Sequence, residues 1–272
     1  MRRLGNLFDS RRIRALRSRG FDRPQCVLFL THKWTPEIAA RHARLSSDLH
    51  GFADVFILHD SACRDIPRGI ENAFAFNARM LERSLGYSSF TRGCIVPGSG
   101  HFPLLWFARR HACQHYWQIE YDVEFTGDWR TLLGAFEHSP ADLVTAHIRR
   151  LSDTADWVYW PTFHQPAGKA VPEENLTRAF LPIFRLSAAG VSAVHEFHAT
   201  GYRGHAEMLV PTCLSLRGLR IEDLNVANRF YAGSEQDPVF DLEQLSTLRW
   251  RPAVEMASEF YRSENLIYHP VK

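Results

Sequence analysis

Two short apolar runs bracket a stretch of helical spacing early in this 272-residue chain, and that pattern constrains the fold more than any other. The first run, Cys26–Thr31 (CVLFLT), reads as a buried strand. Thr35-Pro36 supplies an N-cap followed by proline at the first helical position. Ile38, His42, Leu45 and Leu49 then recur on one helical face, and Gly51 stops the helix. Val55–Leu58 (VFIL) forms a second strand. Strand, helix and strand at this spacing read as a βαβ unit with a parallel pair. In open α/β sheets, ligands bind beyond the carboxyl ends of the strands. Thr31, His32, His59 and Asp60 are therefore cleft candidates, with ordinary loop polarity as the alternative. The turn after the first strand, Thr31-His32-Lys33-Trp34, has no glycine-rich pyrophosphate loop, which argues against a dinucleotide oxidoreductase.

Further along, Gly93–Gly100 (GCIVPGSG) reads as a loop and Phe102–His115 as a helix capped by Ser99. Strands are expected at Tyr116–Phe125 and Asp142–Ile148. Phe180–Leu186 reads as an edge strand or an irregular one because of Pro182, and Ser187–Thr200 as a helix stopped by Gly201. The stretch 152–177, rich in Trp, Tyr and Pro, reads as a long ordered loop, a common place for a lid.

The most informative run for chemistry is Trp117–Trp129 (WQIEYDVEFTGDW). An extended chain alternates faces. Gln118, Glu120, Asp122 and Glu124 would then share one face, with Trp117, Ile119, Tyr121 and Val123 on the other. Clustered carboxylates repel and are costly to bury unpaired, so a divalent cation is one answer and a solvated face the other.

Glu120-Tyr121-Asp122 at a strand end after a helix resembles the DxD motif of GT-A-fold glycosyltransferases, with Glu in place of the first Asp. The longer run EYDVEFTGDW is similar to a subgroup of transferase-like chains. The resemblance spans roughly residues 25–272 and implies one GT-A-like (Rossmann-like) α/β domain with a central, mostly parallel sheet. It implies that Glu120 and Asp122 hold Mg²⁺ or Mn²⁺ against the diphosphate of a nucleotide-sugar donor, with late His269 completing the shell and Lys272 adding charge. Thr31, His32 and Asp60 would contact the donor nucleoside. Glu207, in Tyr202–Leu214 (YRGHAEMLVPTCL), stands where such enzymes place an acidic "xED" element. It would deprotonate the hydroxyl of a glycan, lipid-linked or protein acceptor, as an inverting reaction needs. The second acid of that element is missing here, because Met208 follows. Trp157, Tyr159, Trp160 and His205 would line the acceptor or lid side.

Two other functions compete. A metal-dependent zinc hydrolase draws on His195, His198, His205 and Glu207, yet His195-Glu196-Phe197-His198 lacks the HExxH spacing that aligns two imidazoles on one helix face. A non-catalytic nucleotide-sugar-binding protein would fit the same fold, but Glu120, Asp122 and Glu207 are all present as acids. Charge is uneven. Residues 1–23 hold eight Arg and two Asp, leaving 24 basic and 28 acidic residues beyond them. A slightly acidic body argues against nucleic-acid binding, and residues 1–24 read as a basic arm able to touch a membrane surface peripherally. Five cysteines without a CxxC pair predict free thiols and a reducing compartment. With no apolar signal core or membrane-length run, the expected location is cytoplasmic, including the inner membrane face.

Overall fold

The computed structural model describes residues 25–61, 69–70, 72–233, 246–255 and 265–272. The basic arm, and with it the expected membrane contact, lies outside the described residues. The architecture is mixed α/β around a seven-stranded, mostly parallel sheet.

The opening unit forms as its pattern dictates. Strand β1 (Gln25–Thr31) is buried along its whole length. Helix α1 (Pro36–Asp48) starts at Thr35, whose hydroxyl accepts the Ile38 amide, and buries Ile38 and Leu45. Gly51 turns the chain at φ 77° into β2 (Asp54–Asp60), which runs parallel to β1. Residues of β1 feed two separate cores. Cys26, Leu28 and Leu30 face one, and Val27 and Phe29 face the other. This explains the unbroken apolar run, since a parallel strand covered on both faces has no solvent side to keep polar.

The remaining strands are β3 (Ala73–Phe76), β4 (His115–Glu120), β5 (Glu124–Phe125), β6 (Leu143–Arg150), β7 (Thr177–Ser187), β8 (Ile221–Asp223) and β9 (Ile267–Tyr268). The large sheet has the order β3-β2-β1-β4-β7-β6-β8, with β7 antiparallel to both its neighbours. Strands β5 and β9 make a separate two-stranded sheet. Helices α2 (Ala78–Leu85), α3 (Phe102–Ala108), α5 (Ala188–Ala199) and α6 (Ala206–Leu216) pack on one face of the large sheet. Helices α1 and α4 (Trp129–Gly134) pack on the other.

Several expectations need correction. The strand expected at Tyr116–Phe125 stops at Glu120, where the Val123 amide closes a turn onto the Glu120 carbonyl (3.0 Å). Face alternation therefore fails beyond that point. Glu124 is carried to the other side of the turn and buried against Arg44 (2.6 Å) and Arg41 (3.4 Å). Strand β7 is central rather than an edge, and it is irregular around Pro182, where its register against β6 shifts between Val144↔Arg185 and Ala146↔Phe180. Its pairing with β4 ends at Ile119↔Ile183, so Pro182 falls where no β4 partner is needed. The helix after the glycine loop ends at Ala108, and Ser99 does not cap it but accepts the Phe90 amide instead (2.7 Å). Nor are all the thiols free, because Cys26 and Cys113 are joined in a disulfide. β1 and β4 are parallel neighbours, with Gln25 opposite His115, which brings the starts of the two strands together. No helix among the described residues is long and apolar enough to cross a membrane.

Buried polar side chains tie the sheet to its surroundings. Trp117 Nε1 donates to Gln25 Oε1 across β4 and β1 (2.9 Å). Arg185 of β7 is fully buried, and its terminal nitrogens donate to the carbonyls of Phe136, Ser139 (3.0 Å) and Ala141 (2.9 Å). It fastens the sheet centre to the loop after α4.

Candidate functional site

The carboxyl ends of β1, β2 and β4 open on one side of the sheet, and the turn after β4 carries Glu120, Tyr121 and Asp122 there. That turn is held by its backbone. The Tyr121 amide donates to the Leu30 carbonyl (2.9 Å), Arg41 donates to the Tyr121 carbonyl (3.3 Å), and the Val271 amide donates to the Asp122 carbonyl (2.8 Å). The last bond brings in the segment that follows β9, and with it His269. Its Nε2 lies 3.8 Å from Glu120 Oε2 and 3.6 Å from Asp122 Oδ1. One ligand atom from each of the three residues falls within 4.8 Å of the others.

The hydrogen bonds around this triad define its chemistry. His269 Nδ1 lies 2.7 Å from the Arg249 carbonyl oxygen. A carbonyl only accepts, so Nδ1 carries the proton and Nε2 presents its lone pair to the carboxylates. Burial lowers the His269 pKa, with Asp122 and the Arg249 carbonyl opposing, so the ring is neutral near pH 7. Asp122 Oδ1 is shut off from solvent and has no hydrogen-bond partner. A neutral imidazole lone pair facing two carboxylates is repulsive until a cation stands between them. Two carboxylate oxygens and one nitrogen, oriented through the second ring nitrogen, suit a divalent ion. Desolvation, then Asp122, then Glu207 push the Glu120 carboxyl well above the usual carboxylate range, another sign of uncompensated negative charge.

Positive groups lie around the same turn. Lys33 sits over the Tyr121 ring (4.9 Å), and the His32 ring meets Tyr121 edge-on (4.7 Å). Arg251 acts on both Tyr121 and His269. His32 feels both Asp122 and Asp60, so the ends of β1 and β2 reach the triad. Thr31 is buried, and its hydroxyl is bonded to the Lys33 carbonyl in a local turn. Lys272 is exposed, with its amide on the Val254 carbonyl (3.1 Å).

A second acid stands beside the triad. Gly98, in left-handed conformation (φ 84°), lets its loop press against Phe90 and His205 where a side chain would collide. Its carbonyl accepts the Ala206 amide (2.9 Å), and Gln118 of β4 donates to the Gly100 carbonyl (3.0 Å). This loop joins β4 to the start of α6, capped by His205, and places Glu207 in its first turn. The Leu181 backbone favours the ionised Glu207 carboxylate, whose Oε2 lies 3.8 Å from His205 Nδ1. Burial raises its pKa to about 7 against the pull of Arg178. His205 stacks on Tyr159 (4.1 Å) and meets Trp157 edge-on (5.6 Å). Trp160 is a core residue, with its indole bonded to the Thr154 carbonyl (2.6 Å).

The structure therefore brings Glu120, Asp122 and His269 together, with Glu207 and the Trp157–His205 wall alongside. His195 and His198 do not join them. His198 pairs with His101 in the core (2.8 Å), and His195 with the Tyr87 hydroxyl (3.2 Å). Sequence reasoning missed Lys33, Arg41, Arg178 and Arg251. For Arg178 a signal was available, namely a charge inside the apolar run TRAFLPIF.

No known protein-family model matches the chain, and no curated protein does. Solved structures that match include the galactosyltransferase LgtC in complex with donor and acceptor sugar analogues, at 10% identity and TM-score 0.41, over 73% of this chain and 72% of that one. They also include a Bacillus anthracis protein described as a glucose-1-phosphate thymidylyltransferase, in complex with sucrose, at 13% identity and TM-score 0.38, over 73% and 85%. Both likenesses are distant, and the functional reading rests on the residues themselves.

Proposed function

We propose that this chain is a glycosyltransferase that moves a sugar from a nucleotide-sugar donor to an acceptor hydroxyl. One observation carries the reading: the Glu120, Asp122 and His269 ligand atoms converge beside Glu207, whose pKa of about 7 leaves it half-ionised at neutral pH. Glu120, Asp122 and His269 would hold Mg²⁺ or Mn²⁺, which supplies positive charge for the departing diphosphate. Lys33, Arg41 and Arg251 extend that positive field. His32 and Asp60 stand at the strand ends where the nucleoside would lie, with Thr31 shaping the turn that carries His32.

Glu207 acts as the base. The acceptor oxygen attacks the anomeric carbon, the bond from that carbon to the diphosphate oxygen breaks, and the hydroxyl proton passes to the Glu207 carboxylate. A base with a pKa near working pH is ionised often enough to accept the proton and basic enough to take it. Direct displacement of this kind inverts the anomeric centre. The Trp157, Tyr159 and His205 rings give the acceptor sugar an apolar face to lie against.

The test is a thermal-shift screen of UDP, GDP and CDP with and without Mn²⁺, on the wild type and Asp122→Asn. A ligand that binds only the native state raises the melting temperature by mass action. The expected result is a Mn²⁺-dependent rise with at least one nucleotide in the wild type, lost in the variant. Equal shifts in both proteins, or none with any nucleotide, refute the donor site.

A further inference from the structure

Strand β7 buries two arginines, and they differ in how they are satisfied. Arg185, 0% exposed, gives its terminal nitrogens to three backbone carbonyls. Arg178, 9% exposed, has no side-chain hydrogen bond or contact ion pair among the described residues; the Nε of both arginines is buried without a partner, so the difference lies in the terminal nitrogens. Among the described residues the ring contact of Arg178 is Trp157, with the guanidinium carbon 5.0 Å from the ring centroid. Glu207 and Asp156 act on Arg178 through space without pairing with it. Arg149 stands opposite it on β6 and adds like charge. A buried cation without a contact partner is costly, and such groups are normally paired.

We propose that Arg178 recognises an oxyanion, a carboxylate or phosphate, carried by the acceptor sugar, with Trp157 holding the guanidinium plane. The proposal rests on reading the Glu207 side of the cleft as the acceptor side. A guanidinium stacked on a ring keeps its N–H edges free, and their fork matches two oxygens of one anionic group. Trp157, which lies under Arg178, also meets His205 edge-on (5.6 Å), and His205 Nδ1 is 3.8 Å from Glu207 Oε2, so the anionic group would sit close to the hydroxyl that Glu207 deprotonates. The acceptor class is therefore an acidic sugar, uronic or phosphorylated, and not a neutral one.

The experiment titrates glucose, glucuronate and glucose 6-phosphate into the wild type, Arg178→Met and Arg178→Lys, reading tryptophan fluorescence and melting temperature. Mn²⁺ with UDP, GDP and CDP is titrated into the same proteins. The wild type should bind at least one acidic sugar more tightly than glucose. Loss of a charge-assisted, two-pronged contact should weaken that binding about tenfold to a hundredfold in Arg178→Met. Arg178→Lys should recover only part of it. Without ligand, Arg178→Met should melt about 2 °C higher, because an unpaired buried charge has gone. Preference for glucuronate identifies a carboxylate, and preference for glucose 6-phosphate identifies a phosphate. Equal binding of all three sugars, no binding of any, or unchanged affinity in Arg178→Met overturns the proposal. Intact nucleotide binding beside any of those results shows that this inference alone has failed. Acidic-sugar binding that depends on Arg178 without nucleotide binding sinks the donor reading and leaves Arg178 standing.

Discussion

Glu207→Gln tests the acid beside the triad without needing the substrate. In the folded chain, burial raises the Glu207 pKa from the ordinary 4.5 to about 7. Each tenfold change in proton affinity is worth about 1.4 kcal/mol, so the fold binds this proton more tightly than the unfolded chain by roughly 3 kcal/mol. The sign follows from linkage. The native state holds the proton where the unfolded state has lost it, so this group's contribution is fully present below about pH 4.5. It falls as pH rises and is gone above about pH 7. A glutamine removes the titration and nearly keeps the shape of the side chain. In EDTA, the two proteins should melt alike near pH 4.5. By pH 8 the variant should melt higher by about 6–12 °C, at about 2–4 °C per kcal/mol for a chain of this size. The assay is melting temperature against pH from 4.5 to 8.5 on both proteins. A difference that stays constant with pH would mean that Glu207 is not desolvated as described, and would remove it as a base poised near neutrality.

Other outcomes follow from the same geometry. His269→Ala should weaken Mn²⁺ binding at least about tenfold in calorimetry while the melting temperature without metal holds or rises, because a lone pair facing two carboxylates has gone. Arg44→Met leaves the buried Glu124 carboxylate with Arg41 alone and should cost about 1–3 kcal/mol in urea unfolding, with nucleotide binding unchanged. Arg185→Met strips three backbone carbonyls, two of them buried, of their donor and should cost about 3 kcal/mol, the opposite of Arg178→Met on the same strand. A small effect at Arg185 would undo the contrast between those two arginines.

The sequence was legible where one local signal decided the structure. The β1–α1–β2 unit needed only an apolar run, a capping threonine and a stop glycine, and it formed within a few residues of the expected bounds. Legibility failed where a distant partner decided. Face alternation placed Glu124 with Glu120 and Asp122, but the turn closing on Glu120 sends it to Arg41 and Arg44, which lie some eighty residues earlier. Pro182 carries a real local rule against central strands, yet β7 satisfies it by ending its pairing with β4 at Ile183. Of the site, Glu120 and Asp122 were visible as an acid pair, and His269 only by its order along the chain. Its convergence on them depends on the Val271 bond to Asp122 and on the Arg249 carbonyl, neither of which leaves a mark in composition or spacing. The Cys26–Cys113 disulfide was hidden for the same reason, because strand neighbourhood rather than cysteine spacing brings the two together.

The backbone of the Glu120–Val123 turn is bonded to β1, to α1 and to the segment after β9. Opening it requires parting the centre of the large sheet from its neighbours rather than fraying a loop. In hydrogen–deuterium exchange, the Tyr121, Val123 and Val271 amides belong with the slowest class, exchanging by the same cooperative opening as the core strands. On warming, the Glu120–Asp122–His269 corner and the rest of the fold would disappear in one transition, with no intermediate that keeps the sheet but has lost the corner.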